Sequence, residues 1–308
     1  MTSARPVLLL ACLLLAACSK PAPPTSVNLR KSFRTQLKVE PTQRVPAPTP
    51  PKELFEVVRY PAPLGSNAAY VTPVREGPKR PAVVWIHGGM DFGIGRLAWT
   101  PTPRSNDQSA RAFREAGLVL MLPSLRGADD SPGAREYFLG EVDDVVAAID
   151  FVAKRPDVDP ARIYVAGHST GGTVALMAAV LSPQLKGAYV FGPTHDVSEY
   201  AHYVPLLGQA RGPELWMRNP VSYVEHLRVP TQVIEGSDYG NMDAFEPLRA
   251  AAKGAPLSFL AVPGATHFSV LAPVTELLAN RLLEAKADAP TVTLTDAEVR
   301  EAVAAEQE

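Results

Sequence analysis

Cysteine is almost missing from this chain. The 308 residues hold two, Cys12 and Cys18, both among the first twenty. A disulfide framework or a cysteine-based metal site in the folded body is thereby excluded. Charge of one sign is also missing: 30 Lys and Arg face 32 Asp and Glu, a formal net charge of −2. Nothing electrostatic favours nucleic acid as a partner. The six histidines (His87, His168, His195, His202, His226 and His267) include no H-E-x-x-H spacing and have no cysteine partner, so no metal or organic cofactor is expected. His195, Asp196 and His202 are the one group near enough in sequence to meet. No internal repeat is found. What remains, 46% hydrophobic and 20% charged residues, suits one large α/β domain.

The N-terminus accounts for both cysteines. Arg5 precedes the apolar run Val7 to Ala17, 11 residues long, where a membrane span needs about 20. That pattern fits a signal peptide. The run ends in Leu15-Ala16-Ala17-Cys18-Ser19, which resembles the lipobox of bacterial lipoproteins. The resemblance implies removal of residues 1–17, lipidation of Cys18 and loss of Arg5, which makes the net charge one unit more negative. The chain would then sit on a membrane through acyl chains, and Ser19 after the cysteine implies the outer membrane of a Gram-negative cell. The plainer alternative is an ordinary signal peptide with an incidental cysteine. Residues 20 to 51 hold eight prolines, so 18–51 is expected to be a semi-extended tether.

The body is expected to span 52–287. Leu54 to Tyr60 and Ala68 to Thr72 are read as early antiparallel strands. Ala82 to Ile86 and Gly117 to Leu122 are continuous apolar runs of the kind a strand buried on both faces shows. Ile163 to Ala166, Gly187 to Phe191, Thr231 to Glu235 and Leu257 to Val262 extend the set. Between them, Glu141 to Lys154 places Val142, Val145, Val146, Ile149 and Val152 at helical spacing, with acids in the first turn. Strands alternating with amphipathic helices predict a mostly parallel twisted sheet flanked by helices. Residues 193–228 break the alternation and are read either as a small lid or as a surface helix pair. Residues 288–308 are expected to be a solvated acidic tail ending in a helix.

The chemistry centres on Gly167-His168-Ser169-Thr170-Gly171, a G-x-S-x-G motif between a β-rich run and an Ala/Leu/Met-rich run. Serine needs a base to take its proton, and that base needs an acid to orient it. Downstream, His267 follows a strand and a turn, and Asp238 ends a buried strand. Asp238 is the first candidate acid, Asp243 its rival and Glu235 the third. His87-Gly88-Gly89 is expected to offer an oxyanion N–H from Gly89, with Gly88 next, and Thr170 the second donor. His87 is read as orienting that loop, His168 as a packing or substrate-facing residue, and Arg126 as an internal ion-pair partner or a holder of an acidic substrate group.

In order, these motifs resemble an α/β-hydrolase from Leu54 to Lys286, and within that fold the catalytic domain of the prolyl oligopeptidase and dienelactone-hydrolase-like groups. His87-Gly88-Gly89, Pro123 to Gly127, Glu141 to Asp144, Gly167 to Gly172 and Pro263 to Phe268 carry the likeness. Two departures stand out: too few residues precede the body for the propeller of true prolyl oligopeptidases, and the loop Gly236 to Asp243 lacks the usual Gly-x-x-Asp spacing. The resemblance implies a serine hydrolase acting on small esters or short peptides through Ser169, His267 and Asp238. The rival is a silent lipoprotein that uses the fold for binding or scaffolding. Oligomeric state is open.

Overall fold

The computed structural model describes residues 25–306. The signal segment, the lipobox with Cys18 and the first part of the expected tether lie outside the described residues. No helix among the described residues is long and apolar enough to cross a membrane.

The apolar runs become the middle of an eight-stranded sheet. Its strands are β1 (Glu56–Ala62), β2 (Gly65–Val71), β3 (Arg80–Ile86), β4 (Val119–Pro123), β5 (Val158–His168), β6 (Gly187–Phe191), β7 (Thr231–Asp238) and β8 (Leu257–Thr266). Their order is β1-β2-β4-β3-β5-β6-β7-β8, with β2 antiparallel to both neighbours and every other pairing parallel. Side chains alternate between faces, so each run serves two cores. Ala82, Val84 and Ile86 enter one, and Val83 and Trp85 the other. That is why the pattern reads as continuous rather than alternating.

The helices are α1 (Ser26–Arg30), α2 (Arg111–Glu115), α3 (Gly140–Val152), α4 (Thr170–Leu181), α5 (Pro213–Trp216), α6 (Phe245–Ala252), α7 (Leu271–Glu284) and α8 (Asp296–Ala304). α3, α4 and α6 pack on one face of the sheet; α2, α7 and α8 pack on the other. α3 carries Glu141 and Asp143 in its first turn, where they complement the helix dipole. α4 is buried on all sides from Thr170 to Val180, as a helix apolar all round should be.

Both chain ends differ from expectation. Residues 25–51 form a strap bound to the body. Arg30 is buried and donates to Asp143 at 3.0 Å. Thr35 donates to Glu214 at 2.7 Å, and Arg218 donates to Thr35 at 2.7 Å and to the Leu37 carbonyl at 3.1 Å. Val39 and Arg135 exchange backbone bonds of 2.8 and 2.9 Å. Proline keeps this segment out of the sheet, yet its intervening polar residues satisfy buried groups of the body. At the other end α8 forms as expected, but only one of its faces is solvated and the other is docked on the body. Leu294, Val299 and Val303 are buried, and the backbone of Leu294 exchanges bonds of 2.8 and 3.1 Å with the Gln232 side chain.

The 193–228 insertion is not a surface helix pair. It runs as short helical turns, with Val197, Leu207, Tyr223, Val224 and Leu227 sunk into the same core as α3, α4 and α6.

Candidate active site

Ser169 lies between β5 and α4 with φ +55° and ψ −120°, a backbone conformation that L-residues adopt only when the surroundings impose it. Two glycines make the turn possible. A Cβ on Gly167 would lie 2.6 Å from the Gly171 carbonyl oxygen, and one on Gly171 would overlap the Ile86 and His87 carbonyls. The Ser169 N–H donates to the Phe191 carbonyl at 2.7 Å, tying the turn to β6. Its side chain is half-buried at the carboxyl ends of the parallel strands, where open α/β sheets place ligands.

His267 follows β8 directly. Its Nδ1 faces both carboxylate oxygens of Glu235, at 3.0 and 3.2 Å. Glu235 is fully buried, and its Oε1 also accepts the Gly236 N–H at 3.0 Å. The first choice of acid is therefore corrected. Asp238 is exposed, and its carboxylate accepts from the Ser237 hydroxyl at 3.3 Å. The reason is strand periodicity: three residues beyond Glu235, Asp238 sits on the opposite parity, past a break in the β7–β8 register between Gly236 and Asp238. Asp243 is exposed on the following turn. One signal pointed to Glu235 from sequence: a carboxylate inside an apolar strand is almost never buried unless it has a partner.

The backbone donors are arranged as follows. The Gly88 N–H is already given to Gln108 Oε1 at 3.2 Å. Among the described residues, no acceptor takes the N–H of Gly89 or of Thr170. The Thr170 hydroxyl donates to the Gly89 carbonyl at 2.5 Å, which holds the two segments together. Gln108 came from no motif, and nothing in the sequence marks it. His87 faces the Gly88 carbonyl at 2.6 Å and the Gly93 carbonyl, so it braces the loop as expected.

His168 is buried and packs against the His267 ring, tilted by 40° at 4.4 Å between centroids. Its Nε2 donates to the His267 carbonyl at 3.0 Å. Burial, reinforced by the neighbouring His267, pushes its pKa down to about 3, so it stays neutral and supports the position of His267.

Arg126 is spent within the fold. It donates to Asp144 at 2.9 and 3.0 Å and to Glu136 at 3.2 Å. Nearby Glu141 accepts the N–H groups of Glu136 and Tyr137 at 2.8 and 3.0 Å. Burial raises its carboxyl pKa to about 7. As for metal ligands, Asp196 and His202 do not join His195. Asp196 accepts from Ser198 and Asn219 at 2.9 and 3.2 Å. His195 instead lies with Glu199 and Asp243, donor atoms within 4.8 Å of one another, and Glu199 is already bonded by the Thr194 hydroxyl.

A cavity of about 240 Å³ is lined by His87, Asp91, Arg96, Gln108 and Asp129 among others. It does not contain Ser169.

Residues 105–273, more than half of the chain, match the model of the prolyl oligopeptidase family. The chain belongs to the prolyl oligopeptidase family. Its fold is that of the α/β-hydrolases. A protein of Mycobacterium tuberculosis described as uncharacterized is 27% identical over 196 residues, covering 59% of this chain and 66% of that protein. Across five curated relatives, the chain spans between 5% and 66% of their length. The acylaminoacyl peptidase of Pyrococcus horikoshii is 16% identical with a TM-score of 0.57, over 74% of this chain and 40% of that one. The thermophilic carboxylesterase EstE1, cloned from a metagenomic library, is 21% identical with a TM-score of 0.57, over 77% of this chain and 92% of that one. At such identities these two solved structures speak for the fold alone.

Proposed function

We propose that this prolyl oligopeptidase family member cleaves small carboxylic esters, and short peptides second, through Ser169, His267 and Glu235. The observation that carries the reading is the buried Glu235 carboxylate on His267 Nδ1 beside a serine held at positive φ. With Nδ1–H given to Glu235, His267 presents the Nε2 lone pair as base. Ser169 Oγ attacks the carbonyl carbon as its proton passes to Nε2. The carbonyl π pair moves to oxygen, where the Gly89 and Thr170 N–H groups receive it. One such donor is worth about 3 kcal/mol of transition-state stabilisation. Collapse breaks the bond to the leaving group, which takes the proton from Nε2. Water, deprotonated by the same nitrogen, then cleaves the acyl-enzyme and restores Ser169. Glu235 stabilises the imidazolium without taking its proton.

The scaffold alternative rested on the irregular acid loop of residues 236–243. With Glu235 on His267, that loop is not asked to supply the acid. We also infer that Cys18 carries the lipid, on the strength of the short apolar run and Leu15-Ala16-Ala17-Cys18. Mass spectrometry of the mature N-terminus tests this: an acylated Cys18 supports it, and an unmodified N-terminus elsewhere removes it.

The activity is tested with p-nitrophenyl butyrate and an aminoacyl p-nitroanilide. Wild type turns over the ester, while Ser169→Ala falls to the rate left by binding and the oxyanion donors alone. Equal rates for both proteins would reject the reading.

A further inference from the structure

Tyr200 is a residue that no motif flagged. It comes from the 193–228 insertion, and its hydroxyl is buried without a hydrogen-bond partner of normal geometry. That hydroxyl faces those of Ser169 and Thr173. Thr173 is otherwise engaged: it accepts the Thr194 N–H at 3.0 Å and donates to the Ser169 carbonyl at 3.2 Å. A buried phenol with no acceptor in good geometry costs about 1–3 kcal/mol, and its retention beside a nucleophile calls for a better-placed acceptor that arrives with the substrate.

The ring behind it is held with unusual care. Tyr200 stacks on Phe138 at 5.5 Å with the planes 12° apart, and Phe138 meets Phe92 edge-on at 5.9 Å. Tyr137, Phe138 and Phe92 all sit at positive φ, +49°, +62° and +51°. Buried Glu141, through its bonds to the Glu136 and Tyr137 N–H groups, fixes part of that backbone. Strain of this kind, about 1–3 kcal/mol per residue, persists where surroundings over-determine it and clusters at functional sites. Here it holds the ring whose hydroxyl faces Ser169.

We propose that Tyr200 is a specificity-determining residue, whose hydroxyl donates to a substrate acceptor atom next to the scissile carbonyl while the Tyr200–Phe138 wall packs the adjoining carbons. The preferred class is then an acyl compound with an oxygen or nitrogen acceptor within two bonds of the reacting carbon, over its all-carbon counterpart. A site built to hydrogen-bond such an atom discriminates by leaving its own donor unpaired when the atom is missing. Burial raises the phenol's pKa to about 12, so it remains a donor throughout the working range of a histidine base. The inference rests on Ser169 being the nucleophile.

The test compares p-nitrophenyl methoxyacetate with p-nitrophenyl butyrate, which differ by one ether oxygen in place of a methylene. Each kcat/KM is divided by the hydroxide-catalysed rate of the same ester. In wild type the normalised ratio favours methoxyacetate, and Tyr200→Phe lowers that ratio about tenfold, as expected for one lost hydrogen bond. Thermal unfolding is the companion readout: because the hydroxyl makes no protein hydrogen bond of normal geometry, Tyr200→Phe is expected to melt at the wild-type temperature or above. A ratio unchanged by the substitution overturns the proposal, as does a lower melting temperature with both esters slowed equally. Absence of turnover by wild type on either ester would instead count against the nucleophile reading, so the two failures are distinguishable.

Discussion

Glu235→Gln separates the buried acid from its exposed neighbours. The change keeps the size and shape of a side chain that is fully buried against His267. It removes the charge that steadies the imidazolium, and its amide can donate to Nδ1, turning the Nε2 lone pair into an N–H. In Ser-His-acid triads, that substitution lowers kcat by about 10⁴, or about 5 kcal/mol at 1.36 kcal/mol per tenfold. Asp238→Asn and Asp243→Asn alter exposed carboxylates that His267 does not touch, so each is expected to stay within about threefold of wild type, in line with surface changes of about 0.5 kcal/mol. Single-turnover release of p-nitrophenol from p-nitrophenyl butyrate, at matched folded concentration, reads all three. Retention of activity within tenfold by Glu235→Gln would refute the assignment. So would a loss in Asp238→Asn as large as that in Glu235→Gln.

Four further outcomes follow from the fold. Glu141 has a raised folded pKa of about 7, so the native state holds its proton more tightly than the unfolded chain. The associated stability is full below the unfolded pKa and is lost as pH rises through about 7, an effect of up to about 3 kcal/mol. Glu141→Gln should therefore flatten the decline in urea-unfolding free energy between pH 5 and 7, and an unaltered slope would count against the assignment. Arg218→Ala removes a fully buried guanidinium bonded to Glu214, Thr35 and the Glu136 and Leu37 carbonyls; a loss of about 3 kcal/mol is expected in the same assay. A chain beginning at residue 52 lacks the strap and should unfold at lower urea than one beginning at residue 25, whereas a free tether would leave the midpoint unmoved. Gly171→Ala, whose Cβ would meet the Ile86 and His87 carbonyls, should cost about 2 kcal/mol or more, with lower ester turnover by the molecules that still fold.

The strands and α3 were legible because their signal is local. β3 and β4 advertise burial on both faces as unbroken apolar runs, and α3 shows its 3.6-residue period with acids at its start. The elbow was legible because its glycines answer to sterics within a few residues. Glu235 was hidden by proximity: three carboxylates within nine residues are ranked by strand parity and by a register break that the sequence does not display. The strap was hidden for another reason. Proline excludes sheet and helix, but it does not exclude a chain that lies along a surface, and the partners of Thr35 and Leu37 are about 180 residues away. Tyr200 and Gln108 were likewise invisible, since each owes its place to tertiary packing alone.

The central claim is that Ser169 is an activated nucleophile, and covalent labelling tests it most directly. Wild type and Ser169→Ala, both carrying the strap, are incubated with a fluorophosphonate probe. Labelling of wild type, with none in Ser169→Ala, is the predicted result. A folded wild type that takes no label, or equal labelling of both proteins, would contradict the account.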